Sequence, residues 1–257
     1  MSWKHSLWRG VSVLREKIVG PAEVRGGLRV LCYHSVGPAL PDDPYGLSVT
    51  ESAFRTQMEL VASARYGRAV SLGGARLDGS PEIAITFDDG YKNTLTTAAP
   101  ILAALKLPFT VAATASFIRE GKPPHMSVED LGELAKFPGA EIGAHGANHR
   151  PLAECGDDEL ARELSESRSF LQDTLGTTVS VMTWPHGSAS RHTAEFARRA
   201  GFVRAGTSLY GVNAPDREPL LLKRTEITGF DSEADFERKC AGGWDFFSLR
   251  QGDPAAK

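Results

Sequence analysis

Two periods alternate along this chain. Short apolar runs bounded by turn residues read as buried strands at residues 28–34, 68–72, 83–87, 109–114, 140–144, 179–184, 203–207 and 220–227. Between them, apolar residues recur every three or four positions. Residues 48–65 carry Phe54, Met58 and Val61 on one helix face, with Ser48 and Glu51 as a capping pair. Residues 93–105 predict a helix that stops before Pro108, and residues 127–135 one opened by Ser127 and Asp130. Residues 157–175 predict the longest helix, with Leu160, Leu164, Leu171 and Leu175 on one side and Gly176 as its stop. Helices at 193–200 and 232–240 follow. Residues 38–47 and 73–81 are loops. Strand and helix alternate at least six times without a composition break. That predicts an α/β fold with a parallel barrel, not a sandwich or a bundle.

Two ends stand outside this alternation. Trp3, Leu7, Val11, Leu14 and Ile18 form one helical stripe, with Lys4, Arg9, Arg15 and Lys17 on much of the rest, and Gly20-Pro21 ends it. Such a helix either packs its stripe on the domain or lies on an anionic membrane face. The expected division is 1–27 helix and linker, 28–247 the domain and 248–257 a flexible tail.

Composition narrows the class. The 41% hydrophobic and 24% charged residues describe an ordinary globular chain, and a net charge of −3 without a basic block gives no reason to expect nucleic acid. Cys32, Cys155 and Cys240 are odd in number and far apart, which suggests a reducing compartment. No secretory signal or membrane span is evident, so the expectation is cytoplasmic, with possible peripheral contact at the inner membrane surface through residues 1–18. No nucleotide-binding glycine motif is present.

The candidate chemistry starts where residues 83–87 run into Asp88-Asp89-Gly90. Adjacent carboxylates are costly to bury unless a cation neutralises one, and a metal does so while leaving the other as a general base. His145 and His149 converge if the chain between them makes one helical turn, and two histidines with a carboxylate suit a divalent metal such as zinc. Gly146 excludes the zincin helix, which needs Glu there. His34 closes the first strand, and strand ends are where barrels place functional groups. His125, after Pro123-Pro124, reads as a surface residue.

These motifs resemble the polysaccharide deacetylases, also called the NodB-homology family or carbohydrate esterase family four. Thr86-Phe87-Asp88-Asp89-Gly90 matches their first motif. His145-Gly146-Ala147-Asn148-His149 matches their second, with Gly where Ser or Thr is usual. Thr183-Trp184-Pro185-His186-Gly187 matches the third except that its arginine is missing. The resemblance spans roughly residues 28–227. Tyr33-His34, with Leu222-Lys223-Arg224 lacking the usual C-terminal histidine, is similar to the branch acting on exopolysaccharide and poly-N-acetylglucosamine.

The resemblance implies a distorted (β/α) barrel of about seven strands. It implies metal ligands Asp89, His145 and His149, and Asp88 as general base. The substrate would be an acetylated GlcNAc-type glycan or its lipid-linked precursor. It leaves the general acid to His34, expected on the face opposite Asp88, or to His186, whose backbone N–H is also the expected oxyanion donor. Thr183 is not expected to orient Asp88, and Arg224 is the candidate to do so instead. A hydrolase of another linear or cyclic amide and a catalytically silent sugar-binding module are the competing readings.

Overall fold

The computed structural model describes residues 3–20, 22–24 and 26–255, and the side chains of these except residues 3–5 and 19. Its elements open with α1 (Trp3–Val19), β1 (Leu28–Tyr33), β2 (Ser35–Val36), β3 (Ser48–Val49), α2 (Glu51–Ala62), β4 (Arg68–Val70) and β5 (Glu82–Phe87). A π-turn, Thr94–Ala98, leads into α3 (Ala99–Ala104), then β6 (Phe109–Ala113), α4 (Ala115–Glu120), α5 (Val128–Leu134) and β7 (Ala140–Ala144). The second half runs α6 (Asp157–Leu175), β8 (Val181–Thr183), α7 (Arg191–Arg199), β9 (Arg204–Gly206), β10 (Val212–Asn213), β11 (Thr225–Glu226) and α8 (Glu233–Ala241).

The main sheet has the order β10-β1-β5-β6-β7-β8-β9, parallel throughout except for β10. It curls back on itself. Leu222 bridges β9 at Gly206, and three residues later β11 pairs in parallel with β1. This is the distorted barrel of about seven parallel strands that was expected. The distortion lies in β4, which covers only the first half of β5, and in the broken last strand.

Strand alternation separates two cores. Leu28 and Val30 of β1 and Ala84 of β5 point inward to join Val70, Val181 and Leu222 in an apolar plug. Leu31, Tyr33, Ile83, Ile85 and Phe87 point outward, under the helices. The same alternation continues beyond the plug. It turns Cys32, His34, Thr86 and Asp88 toward the barrel mouth while Tyr33 stacks on Phe87, meets Phe54 edge-on and donates from its hydroxyl to Gln57.

Several expectations need correction. Residues 48–65 are not one helix. Ser48–Val49 pairs with Ser35–Val36, and Thr50, not Ser48, caps α2 by accepting from the Ala53 N–H. The helix α4 was not foreseen. Residues 248–257 are not a loose tail as far as Ala255: Arg217 clamps Asp253 at 2.9 and 2.8 Å and Arg191 Nε donates to the Ala255 carbonyl. Residues 256–257 lie outside the described residues.

The stripe of α1 does not pack on the domain. Leu7, Val11, Leu14 and Ile18 face solvent, and the helix is held by Trp8, Arg9, Ser12 and Glu16 on its other side. The side chains of Trp3 and Lys4, and Pro21, lie outside what is described.

Candidate active site

Asp88 is buried at the end of β5 and met from three sides. Arg224 grips it with two parallel bonds, Nη1 to Oδ1 at 2.8 Å and Nη2 to Oδ2 at 2.7 Å, while its Nε donates to the Thr207 carbonyl. The stem of Arg224 lies on Gly206, where a Cβ would stand 2.5 Å from its Cδ. Thr183 Oγ1 donates to Oδ1 at 2.9 Å, and Cys32 Sγ approaches Oδ2 at 3.6 Å. Burial pushes the Asp88 carboxyl up, but the guanidinium of Arg224, and then His145, outweigh it and hold the carboxyl well below the usual carboxylate range. The reach of Arg224 to this carboxylate is as anticipated. Thr183 is a correction: it lacks the charge of an arginine yet contacts the same carboxylate.

Asp89 turns away from Asp88 because its backbone is left-handed, with φ 70°. Its Oδ1 faces His145 Nε2 at 3.3 Å and His149 Nε2 at 3.2 Å. The histidines do not converge through a helical turn. Gly146 (φ 73°) and His149 (φ 55°) are both left-handed, and a Cβ on Gly146 would come within 3.2 Å of the Pro185 ring. Glycine at the position usually held by Ser or Thr therefore fits both a conformation and a close approach. Glu163, buried on the Leu160–Leu164 face of α6, accepts from the N–H groups of Ala147 and Asn148 and from the Asn148 amide, fixing this turn. Left-handed non-glycine residues are strained and persist where surroundings over-determine them. Asp89, His149 and His186 are three such residues within one cleft.

The donor set fits a divalent cation. The Thr183 hydroxyl proton is directed to Asp88, so His145 Nδ1, 2.6 Å from the same oxygen, donates to it and leaves Nε2 as the nitrogen that faces Asp89. Asp89 Oδ1 is buried and has no hydrogen-bond partner among the described residues. A buried carboxylate oxygen facing two ring nitrogens is a ligand set that a divalent cation would satisfy. Ligands about 2.1 Å from a shared tetrahedral centre stand roughly 3.4 Å apart, close to these separations.

His34 is placed differently from expectation. It shares the cleft, but one of its nitrogens, a Cys32 sulfur and an Asp88 oxygen all lie within 4.8 Å of one another, so it adjoins Asp88 and does not stand opposite. Its Nδ1 is buried without a hydrogen-bond partner among the described residues. His186 is exposed on the left-handed turn after β8, its ring edge-on to His149 at 4.5 Å. His125 is not a plain surface residue. It is half-buried, stacked on Phe117, which in turn stacks on His149, and burial lowers its pKa.

Sequence reading missed Cys32, Thr183 as a partner and Glu163. Cys32 sits two residues before His34 on the same strand face. Glu163 is an acid inside a leucine stripe, and each of these is a visible signal. The cleft over these groups measures about 630 Å³, enough for part of a sugar chain, and Trp8, Tyr45 and Phe247 stand in its walls.

Comparison with known proteins identifies the family of the chain. The sequence profile described as polysaccharide deacetylase matches residues 76–205, just over half the chain. The Bacillus subtilis (strain 168) protein YxkH, named as a polysaccharide deacetylase, is 22% identical over 78% of this chain and 71% of its own length. Among solved structures, the Streptococcus pyogenes deacetylase PplD in complex with acetate superposes with a TM-score of 0.74 at 20% identity, over 84% of this chain and 99% of that one. IcaB from Ammonifex degensii gives 0.69 at 22% identity, over 85% and 97%. The fold is thus shared with these structures. By its profile match, this chain belongs to the polysaccharide deacetylase family, whose members are hydrolytic metalloenzymes.

Proposed function

We propose that this chain is a zinc-type deacetylase that removes N-acetyl groups from GlcNAc-type units of a bacterial polysaccharide or its lipid-linked precursor. One observation carries the reading: Asp89, His145 and His149 turn a carboxylate oxygen and two ring nitrogens toward one another beside an Asp88 clamped by Arg224. When bound there, a divalent cation would polarise the acetamide carbonyl and acidify a water. Asp88 accepts the proton of the attacking water. Arg224 and Thr183 keep this carboxylate ionised, so it stands ready as the proton acceptor. Arg224 and Thr183 fix the plane of Asp88. The N–H of His186 is the assigned oxyanion donor. His34, with one ring nitrogen beside Asp88, donates the proton to the leaving amine, with His186 as the alternate. The complete ligand set and base argue against a silent sugar-binding module.

The test joins metal analysis to acetate release from N-acetylated chito-oligosaccharides. Asp88→Asn should keep the metal and lose about 10²–10⁴-fold in turnover. His145→Ala should lose metal and activity together. An active His145→Ala chain free of metal would refute the assignment, and a metal-loaded chain that cleaves other amides but no acetylated glycan would refute the substrate class.

A further inference from the structure

We propose that α1 is a docking surface for anionic lipid, set beside the mouth of the cleft. The helix is mounted the wrong way round for a surface helix, which normally buries its apolar stripe. Here the anchors are polar. Arg9 donates to the Phe230 carbonyl and pairs with Asp235, Ser12 donates to the Gly243 carbonyl, and Glu16 pairs with Arg238. The apolar stripe is left outside: Leu7 is 51% exposed, Leu14 58% and Ile18 74%, with Val11 at 36%. Four aliphatic side chains along one helix face make a contiguous patch, and such patches mark an interface.

Charge selects the occupant. α1 carries four Lys and Arg residues against one acid, and that acid is turned to Arg238. Arg15 and Lys17, both exposed, lie about 80° to either side of the stripe at 100° per residue. Beyond Trp8 the surface continues in Leu249, 87% exposed, and Arg250, whose guanidinium lies 4.5 Å above the Trp8 ring. An aliphatic wedge with cations on both flanks suits an acyl-chain boundary beneath anionic headgroups. A second copy stacked stripe to stripe would instead align the like-charged flanks of two helices. Trp8 also lines the cleft that holds Asp88 and Asp89, so a docked α1 brings the cleft to the membrane surface, where a lipid-borne glycan would be met. The docking itself does not depend on the catalytic reading.

The experiment is co-sedimentation of the full chain with phosphatidylcholine vesicles, with and without phosphatidylglycerol. The chain should sediment only with the anionic vesicles and be released by high salt. Leu7→Ser/Leu14→Ser/Ile18→Ser should bind at least tenfold more weakly. Arg15→Gln/Lys17→Gln should lose roughly fivefold per charge. Both variants alter exposed side chains, so melting temperature and hydrolysis of a soluble acetylated oligosaccharide should stay unchanged. A full chain that never sediments overturns the proposal, as does a triple serine variant that binds like the wild type. So does light scattering that shows a stripe-dependent dimer with no vesicle binding.

Discussion

Replacing Arg224 by methionine removes the guanidinium and keeps most of the stem that lies on Gly206. Arg224 and Asp88 are both almost fully buried, at 1% and 3% side-chain exposure, and their two bonds are bidentate. Removing one partner of such a pair leaves an uncompensated buried charge, at a cost of about 3–5 kcal/mol. For 257 residues, unfolding entropy near 2.1 cal/mol/K per residue is about 540 cal/mol/K, so the melting temperature should fall by roughly 6–9 °C. Scanning calorimetry with a chelator present removes any contribution from metal loss. Arg224→Met/Asp88→Asn, which deletes both charges, should recover most of the loss. The pH dependence has a definite sign. In the wild type the pair's contribution is present above the ordinary carboxylate value and is lost only as pH falls through the depressed folded value. In Arg224→Met, burial raises the Asp88 carboxyl with no guanidinium to oppose it. That variant gains relative stability as pH falls, and the gap to wild type should narrow from pH 7 to pH 5. A fall of less than about 2 °C, or a double variant no better than the single one, would refute the argument that the clamp offsets a buried charge.

Glu163→Gln keeps an acceptor for the Ala147 and Asn148 N–H groups but opposes the Asn148 amide with another N–H, so metal affinity should fall about 10–100-fold. Competition against a chromogenic chelator reads this directly, and unchanged affinity would show that the turn holds without Glu163. His34→Ala should retain metal and lose about 10²-fold or more in turnover, while His186→Ala should be milder because its backbone N–H survives. If steady-state assays of acetate release find the reverse order, the acid role passes to His186.

The barrel was legible because each strand and helix buries an apolar face of its own period, and that pattern is local. The runs at 28–34 and 83–87 appear in the structure within a residue or two as β1 and β5. The candidate metal group was legible because Asp89 and His145 follow strand ends and His149 stands four residues on. Ser48 was misread because a serine three residues before a glutamate looks like a cap, whereas two residues of pairing with Ser35–Val36 claim that backbone first. The turn between His145 and His149 was read as helical because spacing carries no sign of φ. The left-handed bends at Gly146 and His149 depend on Glu163 and Pro185, both distant in sequence.

The stripe on α1 shows most clearly how far sequence alone reaches. The sequence by itself determined that Leu7, Val11, Leu14 and Ile18 share one face, since that follows from 3.6 residues per turn. Which way the face points was decided only in three dimensions, by Phe230, Asp235, Arg238 and Gly243, all more than two hundred residues away. The same division holds in the site. That Asp88 and Asp89 are adjacent is sequence. That one is clamped by Arg224 and the other turned to two histidines is tertiary structure, because neutralising two neighbouring buried carboxylates takes partners from segments far apart in sequence.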